Sequence, residues 1–334
     1  MLDFTPLRAT HLAWGGMSFA IVWFWVKIAL SRRPPALRAH PSHRAYFAGV
    51  VLVTVTTLTS ALLLEGIGLR LSLIGAAILI LIIGTLDEVS PLSPARQLAG
   101  QIIIALLPVA AGWIIPHVMN PFGDGVVPIT YGGGVLTVLW LLFLMNSVNW
   151  LDGADGLATG VGTIALVTLA AVSLLPATQD PLTLSLALTG AGGSFAYLIW
   201  NWPPARIYLG TSGSWFLGLY IGLVAIIGGG KIATTLLVLA IPTLDVLLVI
   251  VQRLLAGQRP WRGDTTRHLH HRLQARGTSP VLLAALALLV TAVLGLGAVM
   301  LQTRHKLLTV IAVAAMLSAT SLRLWRQQKS ASSD

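Results

Sequence analysis

Apolar runs long enough to cross a bilayer recur from one end of this chain to the other. They limit it to folds in which each segment satisfies its own backbone N–H and C=O groups away from water. The runs stand near 12–31, 46–64, 71–86, 98–115, 134–149, 157–175, 182–200, 215–230, 232–251, 281–301 and 307–322. A spanning helix takes about 20 apolar residues, fewer where neighbours shield its ends. The pattern therefore predicts an all-α polytopic membrane protein with about eleven transmembrane helices. Composition agrees: 56% of the 334 residues are hydrophobic and the mean hydropathy is +0.84, more apolar surface than a soluble core of this size hides. Arg8 is the only lysine or arginine before the first run and no small-residue cleavage site follows it, so a retained helix is expected rather than a removed signal.

Charge sets the expected orientation. With the N-terminus outside, 15 of the 21 lysines and arginines fall on the inner side, among them Arg32, Arg33, Arg96, Arg206, Arg253 and Arg272. Arg8, Arg70, Lys231, Arg304 and Lys306 fall outside, and Lys27 lies within the first run, where it can snorkel. The C-terminus is then cytoplasmic, and the localisation expected is the plasma (inner) membrane. The net charge of +10 is spread over short loops, which speaks for a membrane surface and against nucleic acid. Without cysteine there is neither a disulfide framework nor a thiolate metal site. No linker separates soluble modules, so residues 1–334 read as one membrane domain, with Pro34-Pro35 a solvated connection and 323–334 a polar, mobile cytoplasmic tail.

This topology gathers the polar residues on one face. The third run ends in Asp87-Glu88, adjacent carboxylates that repel one another unless a cation joins them; an acidic turn solvated by cytoplasm is the plainer alternative. Hard oxygen ligands suit Mg²⁺ or Mn²⁺. Residues 146–157 read N-x-x-N-x-x-D-G-x-D-G-L, with Asn146, Asn149, Asp152 and Asp155 at a membrane boundary. If that loop begins a helix, Asp152 and Asp155 share a side, Gly153 and Gly156 admit close backbone approach, and the amides can read a base or sugar edge. The competing reading is an ordinary Asn/Asp/Gly turn that caps a helix. A later inner loop crowds Arg259, Arg262, Asp264, Arg267, His268, His270, His271 and Arg272 together, as the binding of a diphosphate carrying metal would require. A zinc site or a loop resting on anionic lipid are the other readings of that stretch. Asp245 lies inside the ninth run, either as a hydrogen-bonded structural carboxylate or as a proton relay.

The ordered set resembles the polyprenyl-phosphate sugar-1-phosphate transferases, integral membrane enzymes that begin glycan assembly on a lipid carrier, over roughly residues 46 to 280. The second motif matches their cytoplasmic loop, and His268-Leu-His270-His271-Arg272-Leu is similar to their last one, one residue longer after Asp264. Their usual Asp-Asp stands here as Asp87-Glu88 and a usual lysine as Gln97. Asn201-Trp-Pro-Pro204-Ala-Arg206 and Gly210-Thr211-Ser-Gly213-Ser resemble a segment whose turn carries a metal-binding aspartate, a position that Thr211 fills here.

The resemblance implies transfer of a sugar 1-phosphate from a UDP-sugar to polyprenyl (undecaprenyl) phosphate with release of UMP. The H-L-H-H-R-L form is closer to the N-acetylhexosamine-1-phosphate branch than to the muramoyl-pentapeptide branch. It implies Asp87, Glu88, Asp152 and Asp155 as catalytic residues. Asn146, Asn149, Asn201, Arg206, Asp264, His268, His270, His271 and Arg272 would bind substrate. Mg²⁺ or Mn²⁺ would sit on Asp87, Glu88 and Asp152 with Thr211 at the family's aspartate position. The partners implied are the UDP-sugar, the polyprenyl phosphate and the bilayer, and a helix bundle of this kind is also open to pairing as a homodimer. Two other classes fit parts of the chain: a secondary transporter using Asp245 and the inner carboxylates, and a catalytically impaired relative that binds lipid carrier or nucleotide.

Overall fold

A helix closes its backbone hydrogen bonds within one segment, which is why apolar runs become helices where water is scarce. A computed structural model of the chain describes residues 9–31, 46–120, 125–227, 231–255, 257, 273–274 and 277–331. Among these residues it has twelve α-helices. They are α1 (Ala9–Ser31), α2 (Tyr46–Leu63), α3 (Ile67–Val89), α4 (Pro94–Ala110), α5 (Gly133–Leu151) and α6 (Leu157–Val172). The second half holds α7 (Pro181–Asn201), α8 (Gly210–Ile226), α9 (Ile232–Val238), α10 (Ala240–Leu255), α11 (Pro280–Met300) and α12 (Thr303–Ala331). Five of them, α1, α3, α5, α7 and α11, are long and apolar enough to cross a membrane; α4, α6 and α8 are shorter apolar helices.

The architecture is built around α8. Every residue from Ser212 to Ile226 is buried, the pattern of a helix apolar on all sides that must sit inside the bundle. Helices α5, α3 and α2 pack along it, while α7 lies against α1 and α6 and closes the bundle beside them. Close approach depends on missing side chains. A Cβ added to Gly218 would lie 2.5 Å from the Leu144 carbonyl oxygen of α5, and one added to Gly84 of α3 would lie 2.7 Å from Ser212 Cα.

Three local features depart from the sequence reading. The ninth run, 232–251, is divided into α9 and α10 at Leu239, because Pro242 has no N–H to bond to the Val238 carbonyl. The loop at 116–134 contains a small antiparallel hairpin, β1 (His117–Met119) with β2 (Val126–Pro128), in which Val118 faces Val127. Helix α12 continues through Ala331, past the end of the last apolar run at 307–322; residues 323–331 include Arg, Gln and Lys, good helix formers, and no Gly or Pro to stop them.

Candidate active site

The last turn of α3 ends because Ser90 and Pro91 follow it, and this leaves Asp87 and Glu88 half-buried at the helix end. Asp87 Oδ1 accepts the Leu92 backbone N–H at 2.8 Å and the Gln97 Nε2 of α4 at 2.9 Å. Its Oδ2 accepts the Thr211 hydroxyl at 2.8 Å. Glu88 Oε1 accepts the Ser212 N–H at 3.2 Å. Across the site, α5 stops at Leu151, since Asp and two glycines follow that favour turns over helix, and Asp152 caps it. Asp152 Oδ2 accepts the Gly210 N–H at 2.9 Å.

Three carboxylates from two helix ends therefore meet three consecutive residues, Gly210, Thr211 and Ser212, in the first turn of α8. A helix begins with N–H groups that no upstream carbonyl takes and with the positive end of its dipole, so anions settle there. Gly210 is favoured by its φ of +70°, and a Cβ there would displace the Glu88 carboxylate from the Ser212 N–H. Asp152 retains some exposed surface as a residue, while its carboxyl group is sunk among protein atoms. That desolvation pushes its pKa well above the usual carboxylate range; the Gly210 N–H works against the rise, and the charges of Glu88 and Asp155 add to it.

A second layer fixes the loops. Asp155 is not on a helix with Asp152; it precedes α6, whose N-cap is Gly156, and its Oδ2 accepts the Ala205 N–H at 3.0 Å. Asn201, only 2% exposed, uses both ends of its amide internally: Oδ1 takes the Gly156 N–H at 3.1 Å and the Thr159 hydroxyl at 2.9 Å, and Nδ2 donates to the Ile207 carbonyl at 2.8 Å. Thus the 146–157 loop and the 201–210 segment are tied at three points, Asp152 to Gly210, Asp155 to Ala205 and Gly156 to Asn201. Asn149 Oδ1 accepts the Ser214 hydroxyl at 2.8 Å, and Asn146 Nδ2 donates to Gln101 Oε1 at 2.7 Å. Arg206 is exposed, its guanidinium 5.9 Å from the Trp200 ring centre.

The structure thus brings Asp87, Glu88, Asp152 and Thr211 onto one turn, with Asp155 and Asn201 bracing it and Asn146 and Asn149 on the neighbouring helix face. Asp264, His268, His270, His271 and Arg272 lie outside the described residues, as does the side chain of Asp245. The sequence places Ser212, Ser214 and Gln101 beside the motifs without assigning any of them a role. Gln101, 1% exposed in an apolar helix, carried the one available signal, a polar residue with no reason to be there unless paired. Among the described residues no three acidic or imidazole groups stand close enough to form a ready-made metal cage. The donor set is nonetheless oxygen only, and Mg²⁺ keeps several waters when it binds one or two carboxylates, so it fits these residues by chemistry.

Residues 70–229, which contain all of this geometry, match the model of glycosyl transferase family 4. A decaprenyl-phosphate N-acetylglucosaminephosphotransferase of Mycolicibacterium smegmatis is 30% identical over 321 residues, 82% of this chain and 77% of that protein. The chain belongs to the polyprenyl-phosphate sugar-1-phosphate transferases. Other members are similar over shorter stretches. A probable undecaprenyl-phosphate N-acetylglucosaminyl 1-phosphate transferase of Bacillus subtilis is 30% identical over 233 residues, and the match spans 68% of this chain but 64% of that relative. A phospho-N-acetylmuramoyl-pentapeptide-transferase of Moorella thermoacetica is 34% identical over 145 residues, 43% of this chain and 44% of its own. Within this transferase family the matched region covers the carboxylates and the α8 turn and stops before the histidine-rich loop at 258–272.

Proposed function

We propose that this protein transfers N-acetylhexosamine 1-phosphate from a UDP-sugar to a polyprenyl phosphate such as undecaprenyl phosphate, releasing UMP. The observation that carries the reading is the convergence of Asp87, Glu88 and Asp152 on the first turn of α8. The names of the Bacillus and mycobacterial relatives support the choice of sugar and lipid. In the reaction an oxygen of the lipid phosphate bonds to the phosphorus that carries the sugar, and the bond from that phosphorus to the bridging oxygen breaks, the electron pair leaving with UMP.

Two anions must meet for this to happen, so positive charge has to offset their repulsion. Asp87 and Asp152, with Glu88 beside them, would hold Mg²⁺ or Mn²⁺, which when bound supplies Lewis-acid stabilisation of phosphoryl oxygens. Arg259, Arg262, His268, His270, His271 and Arg272 add hydrogen-bond donors for the diphosphate from the last inner loop. Asp155 and Asn201 hold the 146–157 and 201–210 segments in register, so that Asp152 meets the α8 turn. About eleven crossings, with both the site and the C-terminus at the cytoplasmic face of the plasma membrane, complete the reading, since the prenyl chain can then stay in the bilayer while its phosphate reaches the carboxylates.

The deciding experiment supplies purified protein with Mg²⁺, polyprenyl phosphate and a panel of UDP-sugars and measures UMP. Release with UDP-N-acetylhexosamines, lost by most of its rate in folded, membrane-inserted Asp87→Asn and Asp152→Asn, is the expected result. No UMP from any donor sinks the proposal in favour of a binding role.

A further inference from the structure

A carboxylate offers about four lone-pair positions, two on each oxygen. On Asp87 three are taken by neutral donors: two on Oδ1, by the Leu92 N–H and Gln97 Nε2, and one on Oδ2, by the Thr211 hydroxyl. The Leu92 bond is local, five residues along the chain, and fastens the turn after α3. The other two come from separate elements, α4 and α8, and reach Asp87 from either side. Gln97, Asp87 and Thr211 are each only half-buried, so the group they form lies at an edge that a substrate can reach.

We infer that Gln97 and Thr211 are positioning residues that clamp Asp87 so that it faces the reacting centre through a single acceptor position on Oδ2, the one left for the cation it would hold. Saturation of Oδ1 leaves that oxygen without a further acceptor site among the described residues. The Thr211 bond fixes the carboxylate plane and aims the remaining Oδ2 lone pair along the face of the α8 turn, where Gly210 and Ser212 hold Asp152 and Glu88. Because both clamps are neutral, they orient Asp87 without offsetting its charge. The inference deepens the transferase reading above and rests on it for its kinetic arm.

The test pairs variants that delete a donor with a variant that keeps one. Thr211→Val and Gln97→Leu should each lower kcat about tenfold while KM for the UDP-sugar stays within about twofold, because a misaimed group loses transition-state contact without loosening binding. Thr211→Ser, which keeps a neutral hydroxyl donor, should retain most of the rate. An unfolding cycle needs no turnover: Thr211→Val should lower the thermal midpoint when Asp87 is present and leave it unmoved in an Asp87→Ala background. Equal shifts in both backgrounds, or a wild-type kcat in both Thr211→Val and Gln97→Leu, overturn the clamp. If the wild type releases no UMP, the functional reading fails instead, and the unfolding cycle alone decides whether Thr211 acts through Asp87.

Discussion

Thr211 occupies the place where the resemblance sets a metal-binding aspartate, and its hydroxyl bonds to Asp87 at 2.8 Å. An aspartate there would face another carboxylate and draw a cation between them. Thr211→Asp should therefore lower the Mg²⁺ concentration for half-maximal activity, by about tenfold if the added charge is worth about 1.4 kcal/mol. An activity titration against free Mg²⁺ checks this, and an unmoved midpoint would mean that position 211 does not face the metal. Individual residues such as Asp87, Asp152 and Asp155 were legible in the sequence because charge is scarce in this chain and stands out. Their partners were not: Gln97 and Thr211 are 114 positions apart, and nothing in their spacing says that they share one carboxylate.

Helix positions were legible from apolar runs, since length and hydropathy act locally. Contacts between helices depend on which faces meet, and glycines decide several of them. Gly84→Val should push α3 away from the start of α8, costing about 1–3 kcal/mol through overpacking and lowering turnover as Asp87 and Glu88 lose their partners. Thermal unfolding with an activity assay measures both effects; a neutral result would show that the helix ends can part without harm. At the far ends of α7 and α8, Lys231 is 4% exposed and stands 4.0 Å from Asp180. Burial pulls its pKa below the usual lysine value, with Asp180 opposing. Between that lowered value and the ordinary 10.5, the unfolded chain holds a proton that the folded chain has shed, so stability rises with pH across this window. Below the window both states are protonated and the contribution is constant. Lys231→Met should flatten part of the rise in unfolding midpoint as the pH approaches the ordinary lysine value of 10.5 from below, and an unchanged slope would assign it to other groups.

For the molecule as a whole, the proposed sidedness rests on the loop charges and is open to a direct test. A cysteine introduced in place of Thr266 should resist an impermeant label applied to intact cells, because arginines crowd the 253–276 loop. Ready labelling would reverse the side on which every site residue is placed. Sequence alone determined the membrane class, the helical content, the acidic ends of α3 and α5 and the membership that their motifs imply, because these rest on hydropathy and short-range spacing. Only the tertiary structure decided that the carboxylates converge on Gly210, Thr211 and Ser212, that Asn201 serves as a fastener with both ends of its amide bonded inside, and that the ninth run breaks at Leu239. Convergence of this kind depends on how α3, α5 and α8 cross, and crossings are set by side-chain packing over separations of more than a hundred residues, which no local pattern along the chain encodes.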